Sequence, residues 1–169
     1  IMAKMKIAII GCGTIANSAH IPAYMKNSEV EIKYFCDIIP EKAKAAVDVL
    51  LKEGYDFVYV HVEAPDEMGH QGSIDRKVKA IEYLDEKVVR PVKKAMDASG
   101  EDYRMLILPD HPTPIACRTH TSDPIPYLLY DSTDTGIKTE TAQYNEKQAA
   151  AGGILVSEGY RLIEKLLEE

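Results

Sequence analysis

The stretch Asp56-Phe57-Val58-Tyr59-Val60-His61-Val62-Glu63-Ala64-Pro65-Asp66-Glu67-Met68-Gly69-His70 decides how the chain is read. A short apolar run that turns polar at one end reads as a buried strand emptying into a loop. The expectation is a strand over 56–62, with Pro65 and Gly69 breaking the chain after it. Asp66 and His70 stand four residues apart, so on one helical turn, or in a tight loop, both can face one ion.

Outward from that stretch, strand and helix patterns alternate. A strand at 6–10 ends at Gly11, helical signals cover 14–26, and a second strand runs over 31–37. A helix is predicted at 41–53, with Pro40 near its start and Gly54 as its stop. Downstream, residues 74–98 carry a long helical pattern (Ile74, Val78, Ile81, Leu84, Val88, Val92, Met96) that reads as core packing, closed by Ser99-Gly100. Pro91 predicts a kink in it or a break into two helices. Strands follow at 103–108 and 126–130, residues 131–148 read as a polar loop, and an amphipathic helix closes the chain at 157–169. Such alternation implies an α/β fold, a mostly parallel sheet with helices on both faces. Ligands in such sheets sit at the carboxyl ends of strands, where each polar cluster of this sequence lies.

Composition excludes several classes. The chain has 169 residues, 46% hydrophobic and 28% charged, ordinary for one globular domain or two small ones. No apolar run approaches the roughly 20 residues of a membrane span, and the start lacks a signal peptide's separate apolar stretch. A net charge of −7 and a pI near 5.3 argue against nucleic acid and anionic membranes as partners. Three widely spaced cysteines, Cys12, Cys36 and Cys117, without a C-x-x-C, fit a reduced, cytoplasmic setting.

Two constellations carry chemistry. Gly11-Cys12-Gly13-Thr14-Ile15-Ala16 is a G-x-G-x-x-A between a strand and a helix. Gly11 would permit a tight turn, Gly13 a close approach of backbone to a pyrophosphate, and Ala16 close helix–strand packing. Asp37 closes the second strand 21 residues beyond Ala16, placed to accept from a ribose hydroxyl. With His20-Ile21-Pro22-Ala23 and Cys36-Asp37, residues 5–45 resemble the start of the glucose-fructose/myo-inositol dehydrogenase (Gfo/Idh/MocA) family. The resemblance implies a Rossmann-like segment for NAD(P), with Gly11, Gly13, Ala16 and Asp37 on the cofactor. The family's Glu-Lys-Pro segment and its large substrate-binding sheet domain have no counterpart here.

The second constellation joins Asp66 and His70 to Pro109-Asp110-His111-Pro112, after the fourth strand, and to His120 in Arg118-Thr119-His120-Thr121-Ser122-Asp123, before the fifth. Mixed carboxylate and imidazole donors suit Mn²⁺, Zn²⁺ or Fe²⁺ better than Ca²⁺. Two such ions about 3.5–4 Å apart would clamp a transferring phosphoryl group. His61 and Glu63 end the third strand as partners able to orient a ligand, or simply as a polar strand end.

These motifs, with Tyr144-Asn145-Glu146 and Gly152-Gly153, make residues from about 50 to 169 similar to the archaeal-type cofactor-independent phosphoglycerate mutases of the alkaline phosphatase superfamily. The resemblance implies an isomerase with a divalent metal cofactor (Mn, Zn or Mg) and a phosphoglycerate-like phosphorylated small molecule as substrate. It implies one metal held by Asp66, His70 and His120, and a second held in part by Asp110 and His111. The family's early metal-binding Asp, its nucleophilic Ser and its inserted basic domain match nothing in this chain, so no nucleophile is assigned. The expectation is therefore a fragment or chimera that binds metal with little turnover by itself. It would consist of a segment at 1–45 and a metal-binding α/β segment at 46–169, which can share one sheet, either as a homo-oligomer or with a complementing chain. The alternative is an oxidoreductase fragment acting through NAD(P).

Overall fold

Three apolar runs, Met5–Ile10 (β1), Val30–Cys36 (β2) and Phe57–Val60 (β3), lie side by side in the order β2-β1-β3. Both pairings are parallel, Ile7 opposite Phe57 and Ile10 opposite both Val60 and Cys36. In this computed structural model the described residues are 5–10, 21–26, 30–36, 39–134, 136 and 143–167. Parallel neighbours need crossovers, and two helices supply them: α1 (Ile21–Lys26) packs on β2, and α2 (Ile39–Glu53) packs on β1 and β3. Gly11, Gly13, Ala16 and Asp37, the residues expected to hold a dinucleotide, lie outside the described residues.

One stripe of α2, Ala43, Ala46 and Val49, is buried. Alanine at two of the three positions lets the helix lie close to its neighbours. Gly54 takes φ 66 just past its end, the left-handed turn that stops a helix without a Cβ clash.

After β3 comes α3 (Ala64–His70), and the long helical pattern resolves into α4 (Ile74–Leu84) and α5 (Arg90–Ser99). Between α4 and α5, Asp85–Val89 wind as a π-helical turn. The interruption expected at Pro91 takes this form, two α-helices joined by a π turn, with the backbone right-handed helical from Asp85 (φ −62, ψ −55) to Arg90 (φ −62, ψ −46). Pro91 offers no N–H and its ring crowds the carbonyl four residues back. The wider turn immediately upstream accommodates both problems.

That turn also overturns the reading of the apolar stripe as core throughout. A π turn inserts one residue, which rotates everything beyond it by about 100°. Val88 and Met96 are 7% and 5% exposed and pack where the π turn and α5 meet α2. Ile74, Val78 and Ile81 are 64%, 51% and 51% exposed, because their stripe faces a different direction.

Strands β4 (Arg104–Ile107) and β5 (Leu128–Asp131) depart from the mostly parallel sheet expected. They pair antiparallel, Arg104 opposite Asp131, in a separate two-stranded sheet. The connection between them carries no helix to serve as a crossover, so the chain returns beside the strand it left. Arg104 Nε donates to Asp131 Oδ2 at 2.6 Å across the pair. Tyr103 donates to Asp97 Oδ1 at 2.6 Å, and Lys93 sits 4.6 Å over the Tyr130 ring, tying α5 to this ribbon. Burial, then the Asp97 carboxylate, pushes the Tyr103 hydroxyl well above the usual phenol range.

The predicted loop at 131–148 gives way to a helix at its end. Asn145 caps α6 (Glu146–Ala151) by accepting from the Gln148 N–H at 2.9 Å. The closing helix starts later than expected, with a 3₁₀ turn at Gly159–Arg161 and then α7 (Leu162–Leu167), which buries Leu162 and packs on β4. Among the described residues no helix is long and apolar enough to cross a membrane.

Candidate metal centre

Pro65 opens α3 rather than breaking the chain. In the first helical turn its missing N–H costs nothing and its fixed φ is already helical. The helix puts Asp66 and His70 one turn apart on one side, and His70 Nε2 lies 3.4 Å from Asp66 Oδ2.

Gly69 explains why this helix meets the loop after β4. A Cβ built there would stand 2.6 Å from the Thr113 carbonyl oxygen and 3.0 Å from Thr113 Cγ2, so only glycine permits the approach. Lys77 Nζ, on α4, donates to the same carbonyl at 2.6 Å. The loop folds back on itself as Arg118 N–H donates to Pro114 O at 2.9 Å and Thr121 N–H to Pro112 O at 3.1 Å. That return sets the His120 ring 3.6 Å, centroid to centroid, from the ring of His111.

His120 Nε2 comes to 3.5 Å from Asp66 Oδ1 and 3.1 Å from His70 Nε2. His70 Nδ1 donates to the Arg118 carbonyl at 3.0 Å, so neutral His70 keeps its lone pair on Nε2, the atom that faces the cluster. Arg118 adopts φ 53, in the left-handed region that costs a side chain of its size about 1 kcal/mol. Its guanidinium lies against Gly72, itself at φ 70, where a Cβ would clash with Nε.

Asp66, His70 and His120 each offer one donor atom within 4.8 Å of the others. Ligand bonds of 2.0–2.1 Å in a tetrahedral sphere put neighbouring donors about 3.3 Å apart. The 3.1 Å between the two Nε2 atoms fits that sphere, and Asp66 turns a different oxygen to each imidazole, Oδ2 3.4 Å from His70 and Oδ1 3.5 Å from His120. All three side chains are partly exposed, leaving solvent a route to a fourth position.

Asp110 and His111 sit at the edge of the cluster. His111 Nε2 is 3.3 Å from Asp110 Oδ2, and His111 Nδ1 is 4.0 Å from Asp66 Oδ1. His61 and Glu63 pair with each other at 3.8 Å, His61 also meeting the Tyr59 hydroxyl at 3.3 Å. Thr113, whose hydroxyl donates to Asp66, and Arg118, whose carbonyl accepts from His70, do not stand out in the sequence. No periodicity marks them, and the only available signal was the run Pro112-Thr113-Pro114, whose prolines restrict the backbone around the threonine.

A family model described as the metalloenzyme superfamily matches residues 25–158. Among curated proteins, the chain is 45% identical over 127 residues to a probable 2,3-bisphosphoglycerate-independent phosphoglycerate mutase of Geobacter sulfurreducens, covering 75% of this chain and 31% of that protein. It is 47% identical over 116 residues to a 2,3-bisphosphoglycerate-independent phosphoglycerate mutase of Methanosarcina barkeri, covering 68% and 28%. The chain thus spans under a third of the length of these relatives. A solved Pyrococcus horikoshii protein shares the fold at a TM-score of 0.73 and 22% identity, over 99% of this chain and 51% of that one. The span matched by the family begins downstream of Gly11–Ala16.

Proposed function

This chain belongs to the metalloenzyme superfamily, and from that premise we propose that it carries the divalent-metal site of a 2,3-bisphosphoglycerate-independent phosphoglycerate mutase. Asp66, His70 and His120 hold one ion, and Asp110 and His111 supply part of the shell of a second. The observation that carries this reading is the convergence of three side chains, from α3 and from a loop some fifty residues away, with two imidazole nitrogens 3.1 Å apart and an Asp66 oxygen 3.4–3.5 Å from each. The mutase names of relatives 45% and 47% identical support the substrate class, a phosphorylated glycerate.

A bound divalent ion would neutralise phosphoryl oxygens and activate an oxygen nucleophile. The chain's own residues set where that happens. Arg118 fixes the His70 ring through its carbonyl, and Gly69 and Lys77 hold the loop that presents His111 and His120 to α3. We assign no nucleophile to this chain, and expect metal and substrate binding with little turnover by itself. The test is the ³¹P line of 3-phosphoglycerate titrated with the Mn²⁺-loaded protein. Paramagnetic broadening that disappears in His120→Ala is expected, and a line unaffected by the wild-type protein contradicts the reading.

A second reading is dinucleotide binding through Gly11, Gly13, Ala16 and Asp37. Its support is the parallel β1–β2 pairing, the backbone frame such a loop would follow. Unchanged NADH fluorescence on mixing would dispose of it.

A further inference from the structure

Thr113 is the one buried polar side chain among the described residues. It is held from several sides: its carbonyl accepts from Lys77, its Cγ2 closes on Gly69, and its hydroxyl stands between two of the proposed ligands. A hydroxyl has one proton to give and lone pairs to accept with. Thr113 Oγ1 donates to Asp66 Oδ1, and a carboxylate can only accept, so the proton is committed there. Oγ1 also lies 3.3 Å from His111 Nδ1. With its proton committed, the hydroxyl can only accept from that nitrogen, which assigns the His111 ring hydrogen to Nδ1. Neutral His111 then carries its lone pair on Nε2, which faces Asp110 Oδ2 at 3.3 Å, two acceptors that only a cation shared between them would draw together.

We propose that Thr113 is the positioning residue that links the two cation positions: one hydroxyl fixes the Asp66 carboxylate of the first and the His111 tautomer of the second. The proposal rests on the metal reading above and adds a direction to each donor. Rotation of Asp66 about its terminal bond is broad and soft in an unrestrained side chain. A hydrogen bond from a buried hydroxyl removes that freedom on Oδ1 and leaves Oδ2 toward His70. The same hydroxyl keeps His111 from presenting a proton where an ion needs a lone pair. Thr113 touches no reacting atom in this account and acts through its two neighbours.

The test compares Mn²⁺ affinity by titration calorimetry in the wild type, Thr113→Val, Thr113→Ser and Asp66→Ala, with the His111 tautomer read from ring ¹⁵N shifts in the metal-free protein. Thr113→Val should weaken Mn²⁺ about 10- to 100-fold, the usual cost of losing a partner of a metal ligand. Thr113→Ser should return to within a few-fold of wild type, and wild-type His111 should carry its proton on Nδ1. Loss of binding in Asp66→Ala with full affinity in Thr113→Val overturns this inference and leaves the metal site standing. Full affinity in Asp66→Ala overturns the metal reading and this inference with it. Should Thr113→Val fail to fold, a wild-type His111 protonated at Nε2 still overturns the proposal.

Discussion

Replacing Gly69 with alanine sets two known effects against each other. In a helix, alanine is favoured over glycine by about 1 kcal/mol. Against this, the new Cβ would sit 2.6 Å from the Thr113 carbonyl oxygen, and ordinary contact begins near 3.4 Å, so the loop must retreat by about 0.8 Å. The obstacle is backbone, and Lys77 grips the same carbonyl at 2.6 Å, so the retreat is resisted. Overpacking of this kind costs about 1–3 kcal/mol. The net expectation is a loss of about 0–2 kcal/mol, a fall in Tm of up to about 4–8 °C for a chain of this size. The retreat also draws Thr113 away from Asp66, so Mn²⁺ affinity should fall about tenfold or more even where Tm barely moves. Thermal melts and titration calorimetry on the same samples read both. A Gly69→Ala protein with a raised Tm and unchanged Mn²⁺ affinity would refute the close approach of α3 to the loop.

Other expectations are simpler. Asp131 is held at about 2, below its ordinary 3.8, chiefly by the Thr133 hydroxyl and then by Arg104; its stabilisation is complete above pH 3.8 and lost as pH falls through about 2. Asp131→Asn should therefore destabilise the protein at neutral pH and flatten acid unfolding across that window, followed by circular dichroism. Asn145→Ala removes the cap of α6 and should cost that short helix about 1 kcal/mol, seen as faster amide exchange at Gln148 rather than as a shift in global melting. Met96→Ala should cost about 2–5 kcal/mol in urea unfolding while Val78→Ala stays within about 0.5 kcal/mol, because only Met96 lies in the core.

Local pattern carried much of this structure. The strands at β3 and β4 and the helix α2 follow from apolar runs and their Pro and Gly punctuation; the spacing of Asp66 and His70 allows a helical turn or a tight loop, and α3 was hidden because Pro65, which stands in its first turn, reads as a break. What escaped the sequence depends on partners or on a single inserted residue. A π turn leaves the apolar spacing intact while rotating the stripe, so Ile74, Val78 and Ile81 read as core and stand exposed. The antiparallel return of β5 is set by a helix-free connection, which a strand's own residues do not record. The α6 cap was legible in principle, as Asn145 three residues before Gln148, but its polar surroundings masked it. At the candidate metal centre the donor types stand out in the sequence, whereas the Thr113 hydroxyl and the Arg118 carbonyl reach Asp66 and His70 through hydrogen bonds that only the folded loop creates.

The central claim is that Asp66, His70 and His120 converge on one ion. Crystals grown with Mn²⁺ and measured for anomalous scattering test it most directly. The account predicts a peak about 2.0–2.2 Å from Asp66 Oδ and from the Nε2 atoms of His70 and His120. A well-ordered site with no peak, or a peak bound only by other residues, would contradict it.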